Sequence, residues 1–122
     1  MKQEDYLETL YNLEKKLSSI RITDLAKALN LSKPSVTQMM QRLNKDSCVK
    51  YEAYTPIKLT AKGRKIGKKI AERHEVLADF FTILNIPKRI QEKDIHGIEH
   101  HLSPITVDKL KILSKFLKDK NF

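Results

Sequence analysis

The chain has 122 residues and a formal net charge of +9, from 24 Lys and Arg against 15 Asp and Glu. This length fits one compact domain, or one small domain with a helical extension. No apolar run approaches the length of a membrane span, and the charged N-terminal segment is unlike a signal peptide, so neither a membrane nor export is expected. The single cysteine, Cys48, excludes an intramolecular disulfide and a thiolate-rich zinc site, and the expected location is cytoplasmic.

The basic charge is concentrated in the N-terminal part of the chain. Residues 1–73 carry 16 Lys and Arg against 8 Asp and Glu, whereas residues 74–122 carry 8 against 7. A basic part joined to a nearly neutral part is typical of a polyanion-binding module attached to a second domain. A lysine-rich solvated surface explains the charge alone equally well, so the interpretation depends on the predicted elements.

The first predicted elements follow the order of a helix-turn-helix. One helix is predicted over residues 3–17, and Thr23 is predicted to cap a second helix that runs to Leu29. Ser32 caps a third helix, with Pro34 in its first turn, where a missing N–H group is harmless. Two short helices joined by a tight polar turn predict a helix-turn-helix.

Two short strands are predicted directly after the third helix. Residues 48–54 and 57–60 alternate as strands do, with Thr55-Pro56 as the turn between them. Thr60 then caps a long helix that continues to about Leu84. A hairpin that follows a helix-turn-helix predicts a winged helix, and a basic winged helix predicts binding to double-stranded DNA.

The winged helix assigns candidate DNA contacts. The N-terminal residues of the third helix should face base edges in the major groove, and Gln38 suits a bidentate contact with adenine. Basic side chains of the hairpin and of the next helix should contact phosphates. Val36, Met39 and Leu43 are instead expected in the core. The candidate DNA-binding residues are Ser32, Lys33, Ser35, Thr37, Gln38, Lys50, Lys58, Lys62, Arg64 and Lys65.

The rest of the chain predicts an all-helical domain. One helix is expected over about residues 88–102 and a last helix over residues 105–117, with Ser103-Pro104 between them. Apolar stripes with no sheet to cover predict a dimerisation surface, and a two-fold homodimer matches a palindromic operator. The expected fold is mainly α, with a winged-helix domain over residues 1–73 and a helical domain over residues 74–122.

A cluster of metal-competent side chains lies in the second domain. His96, Glu99 and His100 stand at i, i+3 and i+4, a spacing that places all three on one face of a helix. Imidazole and carboxylate groups in such an arrangement hold a divalent ion or do chemistry with one. The cluster therefore predicts a metal site.

Three separated motifs make the chain resemble the diphtheria toxin repressor family, and within it the manganese transport regulators. The motifs are DYLE at residues 5–8, RHE at 73–75 and GIEHHLS at 97–103, in order on a winged-helix framework. The resemblance covers essentially the whole chain and implies a dimeric, metal-activated repressor of metal-uptake genes. The chain resembles the short form of the family, without an SH3-like domain.

The resemblance implies a larger metal site than the residues themselves establish. Taken alone, His74 is more typical of a core histidine, and Asp5 with Glu8 of a solvated acidic face. In the family, the positions that match these three residues ligate metal. The implied ion is Mn²⁺ or Fe²⁺, with Co²⁺ or Zn²⁺ as alternatives. The implied ligands are Asp5, Glu8, His74, His96, Glu99 and His100.

His96 departs from the family pattern. The manganese regulators have glutamate at this position, and the iron-responsive branch has cysteine. An acid able to bridge two cations is thus replaced by a softer nitrogen donor. The hypothesis is that a two-ion site is weakened or becomes mononuclear, and that selectivity moves from manganese towards iron, cobalt or zinc. Asp5 argues the opposite way, because iron-responsive members typically carry methionine there and a hard oxygen donor suits Mn²⁺.

Two other functions are open at this stage. His-x-x-Glu-His is also a metalloprotease signature, but 22 residues follow His100 and a peptidase leaves the basic winged helix unexplained, so an enzyme is not expected. The second alternative is a metal-independent winged-helix regulator that responds to an organic ligand or a partner protein. In that case the histidines are structural.

Overall fold

The computed structural model describes residues 2–120 and places six helices and one two-stranded hairpin within them. The fold is mainly α, with the hairpin after the third helix, and the predicted fold class is confirmed. By contacts the chain divides into two compact units, residues 1–71 and 72–122. The elements are α1 (Gln3–Glu14), α2 (Ile22–Leu29), α3 (Lys33–Lys45), β1 (Val49–Lys50), β2 (Lys58–Leu59), α4 (Ala61–Ile83), α5 (Lys88–Ile98) and α6 (Pro104–Asp119).

One apolar core joins α1, α2, α3 and the hairpin in the first unit. Val36, Met40 and Leu43 of α3 are fully buried in it, and Met39 is partly buried against it. The core positions predicted on this helix are thereby confirmed. Because the buried residues recur at helical spacing, they occupy one face of α3 and leave the opposite face to solvent.

Side-chain caps fix the starts of two helices, as the sequence predicts. The predicted cap at Thr23 is wrong, because α2 begins at Ile22 and its N-cap is Arg21. Ser32 Oγ accepts a hydrogen bond from the backbone N–H of Ser35 at 3.3 Å, and Thr60 Oγ1 accepts one from Gly63 at 3.1 Å. Between α2 and α3, Asn30 adopts a left-handed conformation with φ 55°. A left-handed residue followed at once by a cap gives the tight turn of the helix-turn-helix.

The hairpin turn lies earlier than Thr55-Pro56, so this detail of the prediction is wrong. Thr55 donates its N–H to the carbonyl oxygen of Glu52 at 3.1 Å, and its Oγ1 donates to the same oxygen at 2.8 Å. Tyr54 takes a positive φ of 68° inside this turn. The side-chain hydroxyl of Thr55 thus closes the turn over residues 52–55.

The strands are also shorter than predicted. β1 and β2 pair antiparallel with Lys50 opposite Lys58, over two residues each. Before β2, the N–H of Ile57 donates to the carbonyl oxygen of Ile20 at 2.7 Å, where an isolated bridge forms. The chain segment in front of α2 is therefore tied to the residue that precedes β2.

Two helices end sooner than predicted because tighter turns replace their last residues. α1 ends at Glu14 rather than residue 17, and α5 ends at Ile98 rather than residue 102. The N–H of Lys16 returns to Leu13 O at 2.9 Å, and the N–H of His101 returns to Ile98 O at 3.0 Å. Both are three-residue returns, which tighten helix ends. The candidate ligands after Ile98 therefore lie in a turn.

Two glycines allow α4 to pack closely against the rest of the first unit. A Cβ atom at Gly63 would lie 1.9 Å from the carbonyl oxygen of Cys48, and one at Gly67 would lie 2.3 Å from that of Leu7. Any side chain at these positions would force backbone atoms apart. The absence of a side chain is what brings α4 against α1 and against the start of the hairpin.

An ion pair joins the end of α1 to the beginning of α4. Arg64 Nε donates to Glu14 Oε2 at 3.0 Å, and its Nη2 donates to the other carboxylate oxygen. The hydrogen bonds from Arg64 hold the pKa of Glu14 below its ordinary value, and Glu14 in turn raises the pKa of Arg64. Both side chains are more than a third exposed, so solvent weakens the pair.

The second unit consists of the later turns of α4 with α5 and α6. Leu77 and Ile95 are buried, and the buried Gln91 donates through Nε2 to Ile86 O at 2.8 Å and to Thr82 Oγ1 at 3.2 Å. Gln91 therefore ties α5 to the turn that precedes it. Within the described part of the chain, none of the helices has the length and apolar content that a membrane span requires.

Candidate metal centre and DNA interface

A buried carboxylate surrounded by imidazoles lies in the second unit. Glu99, 1% exposed, comes directly after α5. Its Oε2 lies 3.1 Å from Nδ1 of His74, and its Oε1 lies 3.7 Å from Nε2 of His100. A ring nitrogen of His96 lies within 4.8 Å of a Glu99 carboxylate oxygen. The structure therefore brings together the four candidate ligands of this unit.

Three elements position these side chains. His74 comes from α4 and His96 from the last turns of α5, while Glu99 and His100 lie in the turn that follows. Glu99 keeps helical dihedral angles, with φ −59° and ψ −25°. Because its backbone continues the helical path for one residue, the i, i+3 relation between His96 and Glu99 persists beyond the end of α5.

The chemistry of these side chains fits a divalent transition metal. Imidazole nitrogen suits Fe²⁺, Co²⁺ and Zn²⁺, and carboxylate oxygen adds a donor that suits Mn²⁺ as well. A buried carboxylate is also costly to keep charged unless a partner offsets its lost hydration. A cation beside Glu99 would provide that partner, and His74, His96 and His100 would complete its nitrogen ligands.

The other two candidate ligands lie on α1 in the first unit. Asp5 is 5% exposed, and its Oδ2 accepts a hydrogen bond from the backbone N–H of Lys2 at 3.0 Å. This bond caps the start of α1. Glu8 is partly buried one helical turn later, on the same face. A carboxylate has two oxygens and several lone pairs, so capping leaves Asp5 able to bind a cation as well.

Arg73 is a residue of this site that the sequence motifs did not predict. Its side chain is buried at 6% exposure, and Nη1 donates to the carbonyl oxygen of Glu99 at 3.2 Å. A signal for it exists in the sequence. Arg73 stands at core spacing on α4, three residues after Ile70 and four before Leu77, where an apolar residue is expected. A charged residue at such a position needs a buried partner.

The candidate recognition residues share the outer face of α3. Ser32, Lys33, Ser35 and Gln38 are exposed, and Thr37 is partly buried. The Ser32 hydroxyl both caps the helix and donates to Ser35 Oγ at 2.9 Å. The start of α3 thus presents short polar groups to solvent, as a helix that enters the major groove requires.

Two lysines oppose each other on the hairpin. Lys50 and Lys58 are cross-strand partners, and both are exposed. Like charges directly opposite each other on a sheet are destabilising. An anion between them, such as a DNA phosphate, would relieve the repulsion.

The three basic residues at the start of α4 differ in their surroundings. Lys62 Nζ donates to the carbonyl oxygen of Asp46 at 2.9 Å, and Arg64 is engaged by Glu14. Lys65 is exposed. Because Glu14 already balances the charge of Arg64, this arginine is a weaker candidate for a phosphate contact than Lys65.

Two family models together match nearly the whole chain. The model described as the iron dependent repressor N-terminal DNA binding domain matches residues 1–57. The model described as the iron dependent repressor metal binding and dimerisation domain matches residues 60–121. The first match covers α1, α2, α3 and β1, and the second covers α4, α5 and α6 with the candidate ligands from His74 to His100.

Relatives and solved structures agree with these matches. The HTH-type transcriptional regulator MntR of Shouchella clausii is 41% identical over 95% of this chain and 81% of its own length. Its counterpart in Bacillus subtilis is 40% identical over 95% and 82%. The structure of the metal-dependent transcriptional regulator MtsR has a TM-score of 0.82 at 20% identity, covering 94% of this chain and 54% of its own. That of the manganese regulator SloR has a TM-score of 0.76 at 26% identity, covering 95% and 53%. The chain therefore spans about half the length of these two solved proteins.

Proposed function

The chain belongs to the iron-dependent repressor family, and from this premise we propose that it represses metal-uptake genes when Mn²⁺ or Fe²⁺ binds to it. It is a DNA-binding transcriptional regulator with a metal-binding and dimerisation domain. The observation that supports metal binding is the buried carboxylate of Glu99, which has imidazoles around it. The similarity to the manganese regulator SloR supports the choice of ion.

Six side chains ligate the ion in this proposal. Glu99 is the central ligand of the second unit, and the carboxylates on α1 supply further hard oxygen donors. With a histidine in place of an acid at residue 96, the site favours a single ion and borderline metals such as Fe²⁺, Co²⁺ and Zn²⁺ gain relative to Mn²⁺. The ligands are Asp5, Glu8, His74, His96, Glu99 and His100.

DNA is bound by the first unit of each subunit of a homodimer. The outer face of α3 enters the major groove, where Gln38 reads a base, and Lys50 with Lys58 holds phosphates on both sides of the hairpin. Lys33, Lys62 and Lys65 add phosphate contacts, and Arg64 adds a smaller share because of Glu14. Two equal α3 helices related by a two-fold axis require a palindromic operator.

Activation follows from linkage between metal and DNA binding. A bound divalent ion supplies positive charge to the carboxylates and stabilises whichever arrangement of the chain presents all its ligands. If that arrangement is also the one in which both α3 helices fit the operator, metal tightens DNA binding. In this proposal, Asp5 and Glu8 offer oxygen ligands from the DNA-binding domain, and Glu99 and His100 offer ligands from the dimerisation domain.

The test is a DNA-binding titration under anaerobic conditions. The full chain is mixed with a fluorescent duplex that carries a palindrome from upstream of a metal-uptake gene, and Mn²⁺, Fe²⁺, Co²⁺ or Zn²⁺ is added in separate series. Anisotropy is expected to report tighter binding with metal, by about 5–150-fold for a coupling of about 1–3 kcal/mol. A chelator should reverse the effect.

Two results would contradict the proposal. Operator binding of equal strength with and without metal would favour a regulator that responds to an organic ligand or a partner protein. Peptide hydrolysis in the presence of Zn²⁺, abolished by Glu99→Gln, would assign His-x-x-Glu-His to catalysis instead.

A further inference from the structure

We propose that Arg73 is a positioning residue of the metal site, which holds the main chain of Glu99 so that Glu99 and His100 stay where an ion can bind. This inference rests on the proposed function, because it takes Glu99 as a ligand. Arg73 is not itself a ligand, since a guanidinium stays protonated and offers no lone pair. Its effect on the ion therefore passes through the residue that it holds.

The geometry places the guanidinium at the end of α5. Arg73 is 6% exposed, and its Nη1 donates to the carbonyl oxygen of Glu99 at 3.2 Å. This oxygen lies one residue beyond the helix, in the region where carbonyl groups lack partners within the helix. A charged donor satisfies it, and a cation at a helix C-terminus is electrostatically favourable. Arg73 thus stabilises the turn that carries two ligands.

Glu99 is held at both of its ends by neighbouring residues of α4. Arg73 holds its main-chain oxygen at 3.2 Å, and His74, the next residue, lies with Nδ1 3.1 Å from its carboxylate Oε2. A buried side chain fixed at both ends has few conformations to lose when an ion binds. Loss of a residue that hydrogen-bonds to a metal ligand typically weakens metal affinity by about 10–100-fold.

Three single variants of the full chain test this role. Arg73→Gln removes the charge and withdraws the donor from Glu99, and Arg73→Lys keeps a charged donor with a shorter reach. Arg89→Gln is the matched control, because Arg89 is an exposed arginine on α5 and the change in charge is the same. Mn²⁺ binding is followed by the electron paramagnetic resonance signal of the free ion. Arg73→Gln should bind about 10–100-fold more weakly, Arg73→Lys should fall between, and the control should match wild type.

A second measurement separates positioning from general stability and needs no metal. Amide hydrogen exchange of the metal-free protein should accelerate in Arg73→Gln at Glu99 and His101, whose N–H groups bond to Ile95 O and Ile98 O. Amides of α6 should keep their protection. Wild-type exchange at Glu99 and His101, or acceleration throughout the second unit, would overturn the inference.

A double variant tests whether Arg73 acts through the turn that carries Glu99. If its contribution passes through this turn, Arg73→Gln combined with Glu99→Gln should weaken Mn²⁺ binding by less than the product of the two single losses. Two losses that multiply, or wild-type affinity in Arg73→Gln, would overturn the inference while the ligand set stands. Wild-type affinity in Glu99→Gln would overturn the ligand set itself, and this inference with it.

Discussion

His96 is the residue whose identity bears most directly on the choice of metal. It is exposed on α5 with a ring nitrogen within 4.8 Å of the Glu99 carboxylate, and its ring meets that of His100 edge-on at 6.4 Å between centroids. A nitrogen donor at this position favours borderline metals, whereas the glutamate of the manganese regulators adds a hard oxygen and a negative charge. One side chain thus sets both the softness and the charge of the site.

His96→Glu should shift selectivity towards manganese. The added carboxylate should raise the affinity for Mn²⁺ relative to Co²⁺ by about tenfold, or about 1.4 kcal/mol. Isothermal titration calorimetry with each ion gives the ratio. His101→Glu is the control, because His101 is an exposed histidine outside the proposed ligand set. An unchanged ratio in His96→Glu would mean that residue 96 does not contact the ion.

Sequence spacing predicts some residues of the candidate site and misses others for physical reasons. His96, Glu99 and His100 are close in the sequence, so helical geometry alone places them together. His74 has no local signal, and its proximity to Glu99 was implied by the resemblance to a family. The core spacing of Arg73 signals burial but not its role, because its partner is a backbone carbonyl and a carbonyl has no signature in the sequence.

At the scale of elements, the packing of α4 depends on the missing side chain of Gly67. Gly67→Ala would place a Cβ atom 2.3 Å from the carbonyl oxygen of Leu7 in α1. We expect a loss of about 1–3 kcal/mol of unfolding free energy from this overpacking, despite the better helix propensity of alanine. Urea unfolding of the metal-free protein, followed by circular dichroism, measures the loss.

Gly97→Ala provides the matched control. A Cβ atom at Gly97 in α5 would meet nothing within 4 Å. The same substitution should therefore leave stability unchanged or raise it by up to about 1 kcal/mol. Equal effects of the two variants on stability would show that the nearby carbonyl oxygen of Leu7 does not restrict residue 67 to glycine.

The ion pair between α1 and α4 predicts a pH dependence. The pKa of Glu14 is lowered in the folded chain, so the pair stabilises the fold above the ordinary glutamate value of 4.5 and ceases to do so as pH falls through the lowered value. Because both partners are partly exposed, the contribution is about 0–1 kcal/mol. Glu14→Gln should lose this amount at pH 7, and its difference from wild type should shrink as pH falls through the lowered pKa of Glu14. A difference that persists at acid pH would assign the effect to packing.

The elements themselves were predictable where a local side chain defines them. Ser32 and Thr60 cap the helices that the sequence assigned to them, because their hydroxyls accept hydrogen bonds from N–H groups of the first turn, which lack partners within the helix. Thr23 does not cap α2, because the helix begins one residue earlier. The hairpin turn was misplaced because Pro56 is a strong turn signal, whereas the turn is closed by the Thr55 hydroxyl and contains Tyr54 at positive φ. Positive φ is rare for tyrosine, so the sequence gives no warning of it.

At the scale of the whole molecule, charge and metal act on the same DNA-binding equilibrium. The excess of basic residues lies in residues 1–73, and contacts from these residues to phosphates should make operator binding weaken steeply with salt. This attraction does not depend on metal. Metal dependence instead requires that the ion favour the arrangement that fits the operator, which makes the effect a coupling free energy between two sites.

Glu8→Ala should remove this coupling and leave the rest of the molecule unchanged. Loss of one proposed carboxylate ligand should abolish metal-stimulated operator binding, which is worth about 5–150-fold in wild type. Glu8 lies on α1, in the first unit, whereas dimerisation is assigned to the second unit. The dimer mass measured by light scattering should therefore not change. Metal-free DNA binding and its salt dependence should also match wild type, since no basic residue is altered.

Glu72→Ala, at an exposed acid on α4, is the control. A normal metal response in Glu8→Ala would remove this residue from the ligand set, and a lost response in Glu72→Ala would trace the effect to surface charge.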